Sequence, residues 1–296
     1  MPRFDAEDIR RYYDRHTPAF LSRGQGRGTG SIHRAVWGPG VTTRREAFHY
    51  VHDRIADLAR SVSGTSGAAH LLDLGCGVGA SLCYLATQLE IRGTGVTLSP
   101  VQRTIAEARI HDDGLSDRLR CIDGDFNALP PDVEAIDLAY AIESFVHGAS
   151  PHRFFAECQR VVRPGGLLVI CDDFMRAASS HESRRALDRF REGWHINTLI
   201  SRDGLVELGQ AAGFELDSAT DLTPWLELYR ARDRFLAMPA NVFDWACRSL
   251  QPLLRLDPPL IDCANRRFGH LLGGHALQTC LARGWVGYDL VVFRRR

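Results

Sequence analysis

The sequence predicts an α/β fold on a seven-stranded sheet, with a helical cap before the sheet and a helical insert ahead of its last strand. After a leader of 66 residues, short apolar runs alternate with longer amphipathic stretches through residues 67–222, the order that yields parallel strands covered by helices. The first run ends at Asp73 and passes directly into Gly75, Gly77 and Gly79, a turn in which backbone can approach a ligand closely. After a long aromatic-rich stretch, VGYDLVVF (Val286 to Phe293) closes the chain as a final strand.

In order, the first strand and its turn lie within His70 to Glu90, and the helix from Ala80 to Glu90 follows. Next come strand Gly93 to Leu98, helix Pro100 to Asp112, strands Leu119 to Asp123 and Ala135 to Ile142, helix Pro151 to Val162 and strand Gly166 to Cys171. RPGG, Arg163 to Gly166, reads as a helix stop and turn between the last two. A helix from Asp203 to Ala212 and a strand from Phe214 to Ser218 precede the insert. The expected organisation is a helical leader (1–66), an α/β core (67–222), the insert (223–283) and the last strand (284–296). SGTSG at 63–67 reads as a short linker, and leader and insert are expected to cover the strand ends and line a substrate chamber.

Composition narrows the function. Acidic and basic residues number 36 each, so the zero formal charge argues against a nucleic-acid surface. The absence of an 18-residue apolar run predicts a soluble chain without membrane insertion. Eight cysteines without a C-x-x-C pair read as small buried hydrophobes in a reducing cytoplasm. The chain has no lysine, so any phosphate site must use arginine or histidine. A homo-oligomer is left open.

DLGCGVG resembles the glycine motif of class I S-adenosylmethionine (SAM) methyltransferases, a Rossmann-like fold, and implies SAM as cofactor with Asp73, Gly75 and Gly77 around it. GVTLSPVQ resembles the sterol C-methyltransferases and cyclopropane fatty acid synthases. In these, hydroxyl, amide and backbone groups replace the usual ribose carboxylate, which assigns that role to Thr97, Leu98 and Gln102. The GDF element implies Asp125 as acceptor for the adenine amino group and Phe126 packed on its ring.

The leader pairs YYD and a following threonine with WG and FHY, as sterol methyltransferases do, while its glycine-rich centre, IHRAVW and TTRRE resemble bacterial prenyl diphosphate C-methyltransferases. That resemblance implies a prenyl diphosphate substrate, geranyl diphosphate above others, with magnesium held through the diphosphate rather than by assigned protein ligands. Candidate head-group ligands are His33, Arg34, Arg44 and Arg45, because arginine offers planar paired donors to phosphate. Tyr12, Tyr50 and Trp225 are candidate chamber walls. Glu143, in AIESFVHG at the tip of the fourth strand, is the implied general base, in apolar surroundings expected to raise its pKa. His147 is a candidate contact to the head group or to water on its metal. Asp172 and Asp173 in CDDF, at the end of the fifth strand, read as loop residues or as residues behind those that touch the substrate. The rivals are an O- or N-methyltransferase using His147 as base, a lipid cyclopropane synthase, and a SAM-binding sensor without chemistry.

Overall fold

The structure, a computed structural model, describes residues 3–23, 30–62, 68–230 and 258–296. The 63–67 linker, most of the leader's glycine-rich centre and residues 231–257 of the insert lie outside the described residues.

The helices are α1 (Ala6–Arg23), α2 (Arg44–Val62), α3 (Ala80–Gln88), α4 (Pro100–Asp112), α5 (Pro151–Val161), α6 (His181–Trp194), α7 (Arg202–Ala211) and α8 (Pro258–Ala282). The strands are β1 (Ala69–Leu74), β2 (Ile91–Thr97), β3 (Leu119–Asp123), β4 (Ile136–Ile142), β5 (Val162–Met175), β6 (Phe214–Asp221) and β7 (Val286–Arg295). Two compact units result. One comprises Met1–Phe174, Asn197–Leu226 and Tyr288–Arg296, and the other Met175–Ile196 and Glu227–Gly287.

The sheet has the order β3-β2-β1-β4-β5-β7-β6. Pairings from β3 to β5 are parallel, and β7 runs antiparallel to β6. Strand order therefore reverses between β1 and β4, where open α/β sheets bind ligands at the C-terminal strand ends. Parallel strands covered on both faces must be apolar throughout, and Leu71, Leu72, Leu138, Ala139, Leu168 and Ile170 are buried. Aromatic edges complete the core: Phe145 meets Phe154 at 5.0 Å, and Phe155 meets Phe293 at 5.7 Å. Helix starts are local in origin. Ser99 and Ser150, each followed by proline, cap α4 and α5 by accepting from the backbone N–H three residues on.

Two expectations need correction. RPGG lies within β5 as an irregularity: Ile136 faces Val162 and Leu138 faces Leu167, so the extra residues bulge opposite Asp137. Arg163 is bound to the Asp137 carboxylate, and its Nη2 donates to Val62 O at 2.9 Å, which holds the bulge in place. Helix α6 was not expected between the fifth strand and the next helix. Ser180 caps it and its buried Leu187 and Phe190 share a face. In the second unit α6 packs on α8, where Trp194 Nε1 donates to His270 O at 3.0 Å and the two rings stack at 5.4 Å. No helix among the described residues is long and apolar enough to cross a membrane.

Candidate active site

At the β1 tip, Asp73 is 3% exposed and accepts a 2.9 Å hydrogen bond from the Tyr140 hydroxyl of β4. Burial pushes its carboxyl up to about 7, with the Tyr140 bond offsetting part of that rise. The glycine loop folds back on β2, since Gly75 N and Cys76 N both donate to Val96 O at 2.9 Å. Gly75 has φ 92°, and a Cβ there would lie 2.4 Å from Ser144 Cβ, so only glycine fits. Gly77, at φ 53°, faces the other way: a Cβ would meet nothing nearer than Ile32 Cδ1 at 3.8 Å. Gly79 precedes α3 without a side-chain cap, so the helix start keeps donors available to a ligand.

At the β2 tip the side chains are bound to one another. Thr97 Oγ1 donates to Gln102 Oε1 at 2.9 Å, and Gln102 Nε2 donates to Thr17 Oγ1 of α1 at 3.1 Å. Ser99 Oγ donates to Asp14, also of α1. Leu98 is half-buried between them. The leader helix thus docks on the strand end where the ribose is expected, through contacts that no local pattern announces. Beyond β3, Asp125 Oδ1 accepts from Asn127 N at 2.8 Å and Asn127 Nδ2 at 3.0 Å. Phe126 belongs to the core, its ring edge-on to Phe154 at 5.5 Å. Buried Asn127 Oδ1 has no hydrogen-bond partner among the described residues, and an orphan acceptor of this kind suits an amino-bearing ligand. These residues fit SAM: an open glycine turn, a helix start and a free acceptor beside Asp125.

The β4 and β5 tips carry the ionised cluster. Glu143 has φ 51°, in the left-handed region that costs a non-glycine residue ~1–3 kcal/mol and persists only under surrounding constraint. Its Oε1 accepts from Arg34 N at 2.8 Å, Arg34 Nε at 3.0 Å and the Tyr288 hydroxyl of β7 at 2.9 Å. The other face of the guanidinium fork meets Asp173, with Nη1 and Nη2 at 2.9 and 2.8 Å from its two oxygens. Burial raises the Glu143 carboxyl, but the Arg34 charge, His33 and the Arg34 hydrogen bonds outweigh it, so the net displacement is downward. The upward shift expected from the apolar sequence context is thereby reversed: Arg34, distant in sequence, supplies the counter-charge. Asp172 and Asp173 are buried strand residues, not loop residues, and Asp173 stands behind Glu143 through Arg34, in line with the second of the two sequence readings. Burial and its neighbour Asp173 push Asp172 well up, while Asp173 is raised by burial with Arg34 opposing.

The remaining candidates separate into groups. His33 is buried, its Nδ1 3.0 Å from Arg34 O and its Nε2 3.0 Å from Nε2 of buried His52. His147 is buried at 2.7 Å from the Tyr13 hydroxyl, and Tyr12 packs edge-on to Tyr13 at 5.2 Å. Tyr50 and Trp225 meet at 5.8 Å, and Trp37 N donates to Trp225 O at 2.8 Å. Arg44 and Arg45 stand exposed in the first turn of α2, Arg44 lying 5.3 Å over Phe48. Sequence reasoning missed Tyr288 and Asn127 and ranked Asp173 low. Only the two adjacent aspartates at a strand end offered a signal. The six described cysteines are buried and outside any disulfide. No cluster of three or more His, Cys, Asp or Glu among the described residues is arranged to hold a metal.

A methyltransferase-domain family model matches residues 72–170, from the β1 tip to β5. O-methyltransferase cnsE of Penicillium expansum is 32% identical over 196 residues, 65% of this chain and 68% of that enzyme. 24-methylenesterol C-methyltransferase 2 of Oryza sativa subsp. japonica is 29% identical over 191 residues, 62% of this chain and 52% of the relative, so the match spans about half of that enzyme. The geranyl diphosphate C-methyltransferase from Streptomyces coelicolor A3(2), solved with Mg2+, geranyl diphosphate and S-adenosyl-L-homocysteine, superposes with a TM-score of 0.66. It is 18% identical with complete coverage of both chains, a likeness of fold. The glycine turn at the sheet's reversal point lies inside the matched domain, and the fungal relative extends the likeness over two thirds of its own length. The chain belongs to the class I SAM-dependent methyltransferases.

Proposed function

We propose that this enzyme methylates an alkene carbon of a prenyl diphosphate, with geranyl diphosphate the expected substrate and Glu143 removing a proton after methyl transfer. The observation that carries the reading is a partly buried carboxylate at the β4 tip whose ionised form is favoured by Arg34, in a cluster where one guanidinium faces two carboxylates.

SAM supplies the electrophilic methyl group. An alkene attacking it becomes a tertiary carbocation, and a cluster with more negative than positive groups favours that developing charge. At 4 Å and an effective dielectric of 20, one such charge pair is worth ~4 kcal/mol. The Tyr12, Tyr50 and Trp225 rings are proposed as chamber walls, where an aromatic face adds roughly 0.5–2 kcal/mol. Orientation of the alkene contributes most, roughly 7–11 kcal/mol when reacting atoms are held at near-attack distance. Glu143 then takes the neighbouring proton and restores a double bond. Arg34 is engaged by carboxylates, so the exposed Arg44 and Arg45 are the better candidates for the diphosphate, and magnesium brought with that group would neutralise part of its charge. Asp73, Gly75, Gly77, Thr97, Leu98, Gln102, Asp125 and Phe126 are proposed around SAM.

The identity to an O-methyltransferase favours one rival, methyl transfer to oxygen with His147 as base. Labelled SAM incubated with C5, C10 and C15 prenyl diphosphates, the free alcohols and hydroxylated aromatics separates them. The proposal expects a carbon-methylated diphosphate and a fall of roughly 10²- to 10⁴-fold in Glu143→Gln. Methylation confined to hydroxyl groups refutes it.

A further inference from the structure

We propose that Arg34 and Tyr288 are positioning residues that hold Glu143 by Oε1 and so make Oε2 the atom that receives the substrate's proton. The inference rests on the reading of Glu143 as base and assigns that role to one oxygen. Three donors converge on Oε1, at 2.8, 3.0 and 2.9 Å. A carboxylate oxygen has about two acceptor directions, so Oε1 has no capacity left for a reacting group. Oε2 has no hydrogen bond among the described residues, and the side chain keeps 15% of its exposure.

The clamp is itself held from several sides. Asp173 grips the guanidinium by both oxygens, and the guanidinium carbon lies 4.1 Å from the Tyr288 ring centre. Arg34 N–H is bound by Glu143, while Arg34 C=O accepts from His33 Nδ1 at 3.0 Å. A carbonyl can only accept, so His33 Nδ1 donates to it, while His33 Nε2 lies 3.0 Å from His52 Nε2. Burial lowers both histidines. His52 Nε2 also lies 2.9 Å from Ser81 Oγ on α3, which ties the leader loop to the sheet unit. The Glu143 backbone is fixed too, its N–H donating to Cys171 O at 2.9 Å. An Arg34 that turned to a substrate anion would leave buried Asp173 and partly buried Glu143 without their counter-charge.

The groups that influence Glu143 are Arg34 and His33 of the leader, Tyr13 of α1, Cys171, Asp172 and Asp173 of β5, and Tyr288 of β7. Arg34 is the principal one that lowers its carboxyl, so Arg34→Gln leaves burial dominant and the carboxyl titrates at higher pH. Glu143 must be ionised to accept a proton, so the acid limb of kcat/KM moves upward with it and activity recovers toward alkaline pH. Arg34→Lys keeps the charge without the fork. It is expected to leave the limb close to wild type while kcat falls by up to about a hundredfold through misplacement. Tyr288→Phe keeps the ring in place, removes one donor and gives a smaller upward movement with KM unchanged.

The test uses the whole protein with ¹³C-labelled glutamate carboxyls, the Glu143 signal being assigned by its loss in Glu143→Gln. Carboxyl titration and pH–rate profiles are recorded for wild type, Arg34→Gln, Arg34→Lys and Tyr288→Phe, and turnover for Glu143→Gln. A Glu143 signal that titrates identically in wild type, Arg34→Gln and Tyr288→Phe overturns the clamp. A raised KM for the diphosphate with an unmoved acid limb in Arg34→Gln would make Arg34 a substrate ligand instead. Normal turnover by Glu143→Gln would bring down the base assignment and the role of Oε2 with it, whereas an impaired Glu143→Gln with unmoved titrations would bring down the clamp alone.

Discussion

Asp73→Asn should make the chain more stable, and increasingly so as the pH rises. The folded chain keeps the Asp73 proton up to about pH 7, against an ordinary carboxyl value of 3.8. Below 3.8 both folded and unfolded states are protonated and the site costs nothing. Between those values the unfolded chain has released the proton and the folded chain has not. Stability therefore falls by ~1.4 kcal/mol per pH unit, ~4 kcal/mol in all, and stops falling above about 7. Asparagine keeps an acceptor for the Tyr140 hydroxyl and carries no charge in either state. Any constant packing difference cancels when one protein is followed across pH. The gap between variant and wild type should therefore widen by ~3 kcal/mol from pH 5 to pH 8. Urea unfolding monitored by tryptophan fluorescence at a series of pH values measures it. Parallel stability curves for the two proteins would refute the argument. The same variant is expected to bind SAM more weakly, because a positively charged ligand favours the ionised form of Asp73.

Gly77→Val and Asp125→Ala should lose SAM affinity, the first because its side chain enters the open side of the turn and, at φ 53°, strains the loop by ~1–3 kcal/mol, and the second because an acceptor is removed. Titration calorimetry with wild-type affinity in both would sink the placement of the cofactor. Gly193→Ala should destabilise the second unit by ~1–3 kcal/mol, since its Cβ would lie 2.3 Å from Gly269 O where α6 and α8 cross. Hydrogen exchange confined to those helices would register the loss, and unchanged protection there would contradict it.

The fold was largely legible because its signals are local. Ser-Pro caps, glycine turns and continuous apolar runs set helix starts and buried strands, and α4 and β3 fall on their expected bounds. RPGG misled because the same residues that stop a helix can bulge a strand, and the choice lies with the partner strand at Asp137. The candidate site divides in the same way. The sequence by itself determined the glycine turn, the tip residues of each strand and Glu143 as the carboxylate at the fourth, since each is a property of one segment. What those groups do to each other was decided only in the tertiary structure. Arg34, Glu143, Asp173 and Tyr288 are separated by up to 254 positions, yet they share one hydrogen-bonded cluster. A carboxyl's ionisation depends on the balance between burial and charges a few ångströms away, and that balance here reversed the direction inferred from Ile142, Phe145 and Val146 alone. A linear chain records which charges exist, and only folding brings Arg34 within 3.0 Å of Glu143.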